Sequence, residues 1–205
     1  MSTFLFVLTF SVYLITLAPT ISIPDSPELV ATAFTLGVAH PPGYALYLIL
    51  GKFFSFLPLG NIAWRINLMS GIFASLTTLV VYQTVRRITG LLERGHSEND
   101  ARARLGNGKG RGVAVFCAAL LAFSPAFWSF VISAEVYHVN LFLVSLLIFS
   151  GLVYFDSGWG RHSTRSLCLT AFMGGLLLAY HTSNFFYLGV AFTLLWAKAW
   201  SDKRP

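Results

Sequence analysis

The chain has 205 residues, of which 56% are hydrophobic and 11% charged, with a mean hydropathy of +0.69. Soluble domains carry about a quarter charged residues, so this composition excludes a freely soluble globular protein and indicates an integral membrane one. The net charge of +6 would suggest nucleic acid in a soluble domain, but no aromatic residues interleave the basic ones of the loop from Arg86 to Gly112, so nucleic acid is not an expected partner.

Six apolar segments follow in chain order: Phe4–Ala18, Ile66–Val85, Gly112–Ile132, Leu141–Phe155, Leu167–Ala179 and Phe185–Trp200. A span needs about 20 apolar residues to cross a hydrocarbon core of about 30 Å. The second and third reach that length; the others must borrow neighbouring residues. The expected fold is all-α, a polytopic membrane helix bundle of about six transmembrane helices forming a single transmembrane domain, 1–205. The alternative for the first segment is a cleaved signal peptide, against which stand the missing basic n-region and the awkward cleavage site Leu17-Ala18-Pro19. The 19 Phe and 8 Tyr fit aromatic belts at the lipid interface. Cys117 and Cys168 lie inside apolar segments and read as small apolar residues, not a disulfide or metal pair.

Charge sets the expected orientation. Of the 14 Lys and Arg, all but Lys52 and Arg65 fall in Arg86–Arg111, Arg161–Arg165 and Lys198–Arg204. With the amino terminus inside, those stretches are cytoplasmic, as the positive-inside rule requires. Positions 86–111 then form a flexible basic cytoplasmic loop and 19–64 an extracytoplasmic one. The protein is expected in the inner or plasma membrane if bacterial, with its site facing outside.

This orientation gathers Asp25, Glu28, His40, Lys52, Arg65, Glu135, His138 and His181 on the outer side. Ionisable groups at membrane depth are costly unless they pair or line a wet cavity, so a shared cavity is expected. In "PDSPEL", Pro27 suits a first helical turn, and Asp25 with Glu28 fits a capping box. The same two carboxylates fit a general base tuned by a low-dielectric wall, and the readings can coexist. The apolar run from Leu29 to Val38 is too short to span and should lie along the interface. "HPPG" stops it, and a second short helix from about Tyr44 to Leu57 follows, with Lys52 expected to snorkel. Arg65 beside Trp64 reads either as an interfacial anchor or as a fixed cation for a phosphate. Pro125 should kink the third segment. Glu135 and His138, at i and i+3, are expected to share one helix face, and one Glu-x-x-His is weak evidence for a metal. His181 in "AYHTSN" ends the fifth segment.

The ordered pattern Asp-x-x-Glu (Asp25, Glu28), His-Pro-Pro-Gly from His40, and Trp-Arg-x-Asn-x-x-Ser from Trp64 resembles the amino-terminal signature of the family that includes eukaryotic transmembrane protein 260. "SAEVYHVN" and "LLLAYHTSN" resemble its later parts. The resemblance implies a GT-C glycosyltransferase fold with short membrane-lying helices in the first extracytoplasmic loop. It implies inverting transfer of a sugar, with mannose the candidate, from a polyprenyl-phosphate donor to a hydroxyl acceptor, a protein or glycan. Asp25 matches the catalytic carboxylate, with Glu28 beside it. His40, Tyr44, Arg65, Asn67, Glu135, His138 and His181 are the candidate substrate-binding residues. No cofactor is implied and metal is assigned no ligand, although a divalent metal remains compatible. Family members are usually longer, so a partner subunit, a fragment or a non-catalytic lipid-binding scaffold is the alternative reading. A transporter is disfavoured by the absence of repeats and of midplane charges; a metal-dependent lipid hydrolase using Glu135 and His138 ranks last.

Overall fold

The computed structural model describes residues 1–22, 25–94, 108–156 and 161–201. Their regular structure is helical throughout: α1 Ser2–Thr16, α2 Ser26–Thr35, α3 Ala45–Ser55, α4 Ile62–Arg94, α5 Gly108–Ala122, α6 Pro125–Val131, α7 Tyr137–Asp156, α8 Arg161–Tyr180, a 3-10 turn Thr182–Asn184 and α9 Phe185–Ser201. The 33-residue α4, about 50 Å long at 1.5 Å per residue, is the central element and packs on α1, α5 and α7.

Two helices, Ile62–Leu92 and Tyr137–Asp156, are long and apolar enough to cross a membrane. Gly110–Ala122 and Pro125–Val131 make a third only if the pair, bent by 59°, is one span. Length and composition thus give two or three spans where the sequence pattern suggests about six. The difference is physical: α1, for example, has 15 residues and reaches only about 22 Å. The chain is a membrane protein on this evidence.

The bend falls at Pro125, whose ring removes a helical N–H, while Ser124 takes an extended conformation. The Tyr13 hydroxyl donates to the Ala122 carbonyl at 2.9 Å, and Trp128 Nε1 donates to Thr16 Oγ1 at 3.2 Å, so α1 partners groups on both sides of the break.

At one end of the bundle α2 and α3 pack side by side in the same direction, Glu28 beside the His40 turn that leads into α3 and Phe34 beside Lys52, and the pair folds onto the larger helices. Leu29 and Ala33 of α2, Tyr47 and Leu48 of α3, Ile66 and Met69 of α4, Val139 of α7 and Leu177 and Tyr180 of α8 share one buried cluster. The pair is closest at Gly51, where a Cβ would stand 2.8 Å from the Ala33 Cβ. Lys52 Nζ donates to the Phe34 carbonyl at 2.5 Å and lies 4.9 and 5.2 Å from the Phe34 and Phe56 rings. At the other end Lys198 Nζ donates to the Tyr154 and Phe155 carbonyls at 2.7 and 2.8 Å, fastening α9 to the end of α7. Of the expected basic loop, 95–107 lies outside the described residues; α4 runs on to Arg94.

Candidate functional site

The link from α1 to α2 is held by the opening of α4. Asn67 Nδ2 donates to the Ala18 and Thr20 carbonyls at 2.9 and 3.0 Å, and Asn61 Nδ2 donates to the Pro19 carbonyl at 2.8 Å. Asn61 Oδ1 also accepts the Trp64 N–H at 2.9 Å, which partners one of the free donors of the first turn. Arg65 folds back on the α3–α4 corner. Its Nε, Nη1 and Nη2 donate to the Leu59, Ser55 and Gly60 carbonyls at 2.5, 2.8 and 2.9 Å. The Trp-Arg-x-Asn stretch therefore works as a clasp. Arg65 and Asn67, candidates for substrate contact, stand behind the site and fix the backbone that leads into it.

That backbone delivers Asp25. It occupies the N-cap position of α2 but its side chain makes no capping hydrogen bond. Among the described residues its carboxylate has no hydrogen-bond partner and no ion pair. Glu28 does not reach back to complete a capping box either. One carboxylate oxygen accepts the His40 backbone N–H at 2.6 Å, and the other lies 2.9 Å from the His40 ring Nδ1. These bonds to His40, the ring first, hold the Glu28 carboxyl below its ordinary value.

The turn after His40 brings its ring under an aromatic neighbour. Gly43 has φ 94° and donates its N–H to the His40 carbonyl at 2.9 Å. Tyr44 follows with φ 46°, a left-handed conformation that costs a side chain of its size about 1–2 kcal/mol. The tyrosine is buried, edge-on to His40 at 5.3 Å between ring centroids and tilted against His181 at 5.5 Å. Burial raises the Tyr44 hydroxyl, and neighbouring Tyr137, Asp25, Glu135 and Glu28 add to the rise.

Glu135 arrives from the segment between α6 and α7. It is 3% exposed, and burial followed by the charge of Asp25 lifts its carboxyl to about 7, with His40 acting in the opposite sense. Its segment is anchored by the Tyr180 hydroxyl, which donates to the Val136 carbonyl. Asn184 Nδ2 donates to Asn140 Oδ1 at 2.7 Å and to the Leu177 carbonyl at 2.9 Å, joining the α8–α9 corner to α7. At that corner His181 Nδ1 accepts the Ser183 N–H at 3.1 Å, leaving the proton of the neutral ring on Nε2.

Asp25, Glu28, His40, Tyr44, Glu135 and His181 thus gather at one end of the bundle. His138 does not join them. Glu135 precedes α7, so the two residues share no helix face. The buried His138 ring instead sits 4.8 Å from Phe127, edge-on, with Nε2 3.2 Å from the Phe127 carbonyl. Among the described residues no three His, Cys, Asp or Glu side chains converge to hold a metal ion. Tyr137, Tyr180 and Asn184 complete the surroundings of the site; only their places beside His138 and His181 in the quoted motifs pointed to them.

The family described as the protein O-mannosyl-transferase TMEM260 N-terminal domain matches residues 25–204, beginning at Asp25 itself. The chain belongs to this family. It is 28% identical over 179 residues to the mouse protein O-mannosyl-transferase TMEM260, covering 87% of this chain and 23% of that protein. It is 32% identical over 153 residues to the tmem260 protein O-mannosyl-transferase of Dictyostelium discoideum, covering 73% of this chain and 16% of that protein. The chain therefore spans less than a quarter of either relative. No solved structure matches it. As a TMEM260-type domain, it places the family's Asp-x-x-Glu and His-Pro-Pro-Gly stretches in one site and its Trp-Arg-x-Asn stretch in the support beneath them.

Proposed function

We propose that this domain is a membrane glycosyltransferase module of GT-C type, which transfers a sugar, mannose as the relatives' names indicate, from a polyprenyl-phosphate donor to a hydroxyl of a protein acceptor. The observation that carries the reading is the Asp25 carboxylate, which neither caps its helix nor pairs with a described residue. A carboxylate kept unpartnered beside a second buried carboxyl fits a general base better than a structural group.

The mechanism follows from the neighbours. Asp25 takes the proton of the acceptor hydroxyl as its oxygen attacks the anomeric carbon from the face opposite the phosphate, and the lipid phosphate leaves with the bonding electrons. The configuration inverts. Glu135, its carboxyl raised to about 7, in its protonated form donates a hydrogen bond to a sugar hydroxyl or phosphate oxygen instead of repelling it. His181 presents Nε2–H as a second donor. Glu28 holds His40 and, through it, the Tyr44 ring, which forms an apolar wall for the sugar. The short α2 and α3 lie along the membrane, so that a lipid-borne headgroup meets Asp25 while its tail stays in the bilayer. The extra spans that a multi-pass GT-C bundle needs come from α1, α8 and α9, and the site faces outside, as the described basic residues Arg86, Arg87 and Lys198 at the other end favour.

A scaffold reading is favoured by one observation: Arg65, the cation best suited to a phosphate, donates from each of its three nitrogens to a backbone carbonyl. Native mass spectrometry of the detergent-purified chain separates the two. The transferase reading predicts retained polyprenyl-phosphate sugar in Asp25→Asn and a mixture of loaded and spent lipid in wild type. Equal amounts of glycosylated lipid in both would support the scaffold, and no lipid in either would overturn both readings.

A further inference from the structure

The end of the bundle away from Asp25 carries a polar cavity, of about 240 Å³, between α4 and α7. Gln83, Arg86, Arg87 and Gly90 line it at the i, i+3, i+4, i+7 spacing of one α4 face, with Phe149 and Asp156 opposite on α7. Arg87 Nη2 donates to the Asp156 carboxylate at 2.5 Å, which ties the two helices together. That pair leaves donors over. Arg87 Nε is buried with no acceptor among the described residues. Arg86 has no anionic partner among the described residues; its guanidinium lies 5.8 Å from the Tyr82 ring. The Gln83 amide is likewise without a partner among them. A side chain at Gly90 would meet nothing within 4 Å, so the glycine leaves the mouth clear.

A helix clamp needs only Arg87 and Asp156. The surplus of N–H groups, two guanidinium charges against one carboxylate among the described lining residues, and a roomy cavity are what a tetrahedral anion requires. From Asn67 to Arg87 is twenty residues of α4, about 30 Å, the thickness of the hydrocarbon core. A membrane crossed by α4 would therefore set this cavity at the opposite headgroup plane. We infer that the Gln83–Arg86–Arg87 cavity binds a phosphate ester, held by Arg86, the Gln83 amide and the spare Arg87 Nε–H, on the membrane face opposite the Asp25 site. An acidic phospholipid headgroup and a soluble phosphate present the same chemistry. This inference does not depend on the transferase reading.

The test uses the full chain in detergent with an equal mixture of phosphatidylglycerol and phosphatidylcholine, weighed by native mass spectrometry, beside thermal melts with and without inorganic phosphate. Arg165→Gln, an exposed arginine on α8, controls for general charge. Wild type and Arg165→Gln should retain one phosphatidylglycerol in preference, and Arg86→Gln should lose that preference roughly tenfold or more. Arg86 has no hydrogen-bond or ion-pair partner among the described residues, so Arg86→Gln should melt close to wild type, and Arg86→Lys should recover only part of the binding because it lacks the planar fork. If phosphatidylglycerol is not preferred but inorganic phosphate raises the melting temperature of wild type and not of Arg86→Gln, the ligand is a soluble phosphate. Equal retention in wild type and Arg86→Gln, or no response to either probe, would overturn the inference.

Discussion

Glu28 grips His40 at two points, accepting its backbone N–H at 2.6 Å and meeting its ring Nδ1 at 2.9 Å, and so closes a twelve-residue excursion of the chain onto the first turn of α2. The grip sets the ring that lies against Tyr44. Glu28→Gln keeps one acceptor and loses the charge, and Glu28→Ala loses both. Glu28→Ala should therefore release the His40 turn, and proteolysis or hydrogen exchange at 38–44 should rise in Glu28→Ala well above wild type and Glu28→Gln.

The sign of the pH dependence follows from the lowered Glu28 carboxyl. A depressed carboxyl stabilises the fold above its unfolded value of 4.5, and that stability is lost as pH falls through the folded value. Wild type should lose melting temperature below about pH 4.5, and Glu28→Gln should lose less.

Glu135 carries the opposite sign. Its carboxyl is raised from 4.5 to about 7, so between those values the folded chain binds more protons than the unfolded one, and stability falls as pH rises. Melting curves from pH 4.5 to 7.5 should show this slope in wild type and a flatter one in Glu135→Gln. If Glu135 donates to substrate, transfer should also decline above pH 7, and Glu135→Gln, which retains a donor, should decline less.

Arg65 ties the α3–α4 corner through the Leu59, Ser55 and Gly60 carbonyls. Arg65→Ala should lower the stability of the lipid-free chain by roughly 2–4 kcal/mol, since three carbonyls lose a charged donor. Arg65→Lys should restore little, because one ammonium does not reach three carbonyls at once. Unchanged melting with lost lipid binding would return Arg65 to the substrate.

Gly51 is required by the approach of α2 to α3. Gly51→Leu should force the pair apart, with loss of stability on the order of 1–3 kcal/mol and greater protease access to α2. Limited proteolysis beside a thermal melt measures both.

Much of this was legible in the sequence. Pro27, the His-Pro-Pro-Gly stop and the two short apolar runs gave α2 and α3, because helix starts, stops and length are local properties. The kink at Pro125 was legible for the same reason. Carboxylates and histidines placed outside by charge asymmetry do meet, in the case of Asp25, Glu28, His40, Glu135 and His181. What escaped was direction. Sequence spacing cannot tell whether Arg65 points at a ligand or back at Ser55, Leu59 and Gly60, nor that His138 turns to Phe127. The capping box was a sound local reading of Asp25 and Glu28, and a partner twelve residues away displaced it. The described helices give two or three spans by length and composition where the apolar pattern counts about six, because that pattern does not show how far each helix reaches.

The most direct test of the account is mannose transfer from a radiolabelled polyprenyl-phosphate mannose by the purified chain, comparing wild type with Asp25→Asn at matched folding. Loss of the base should lower the rate by about 10²–10⁴-fold while donor binding persists. Transfer by Asp25→Asn within twofold of wild type, or no transfer by wild type, would contradict the assignment of Asp25 as the catalytic base of this domain.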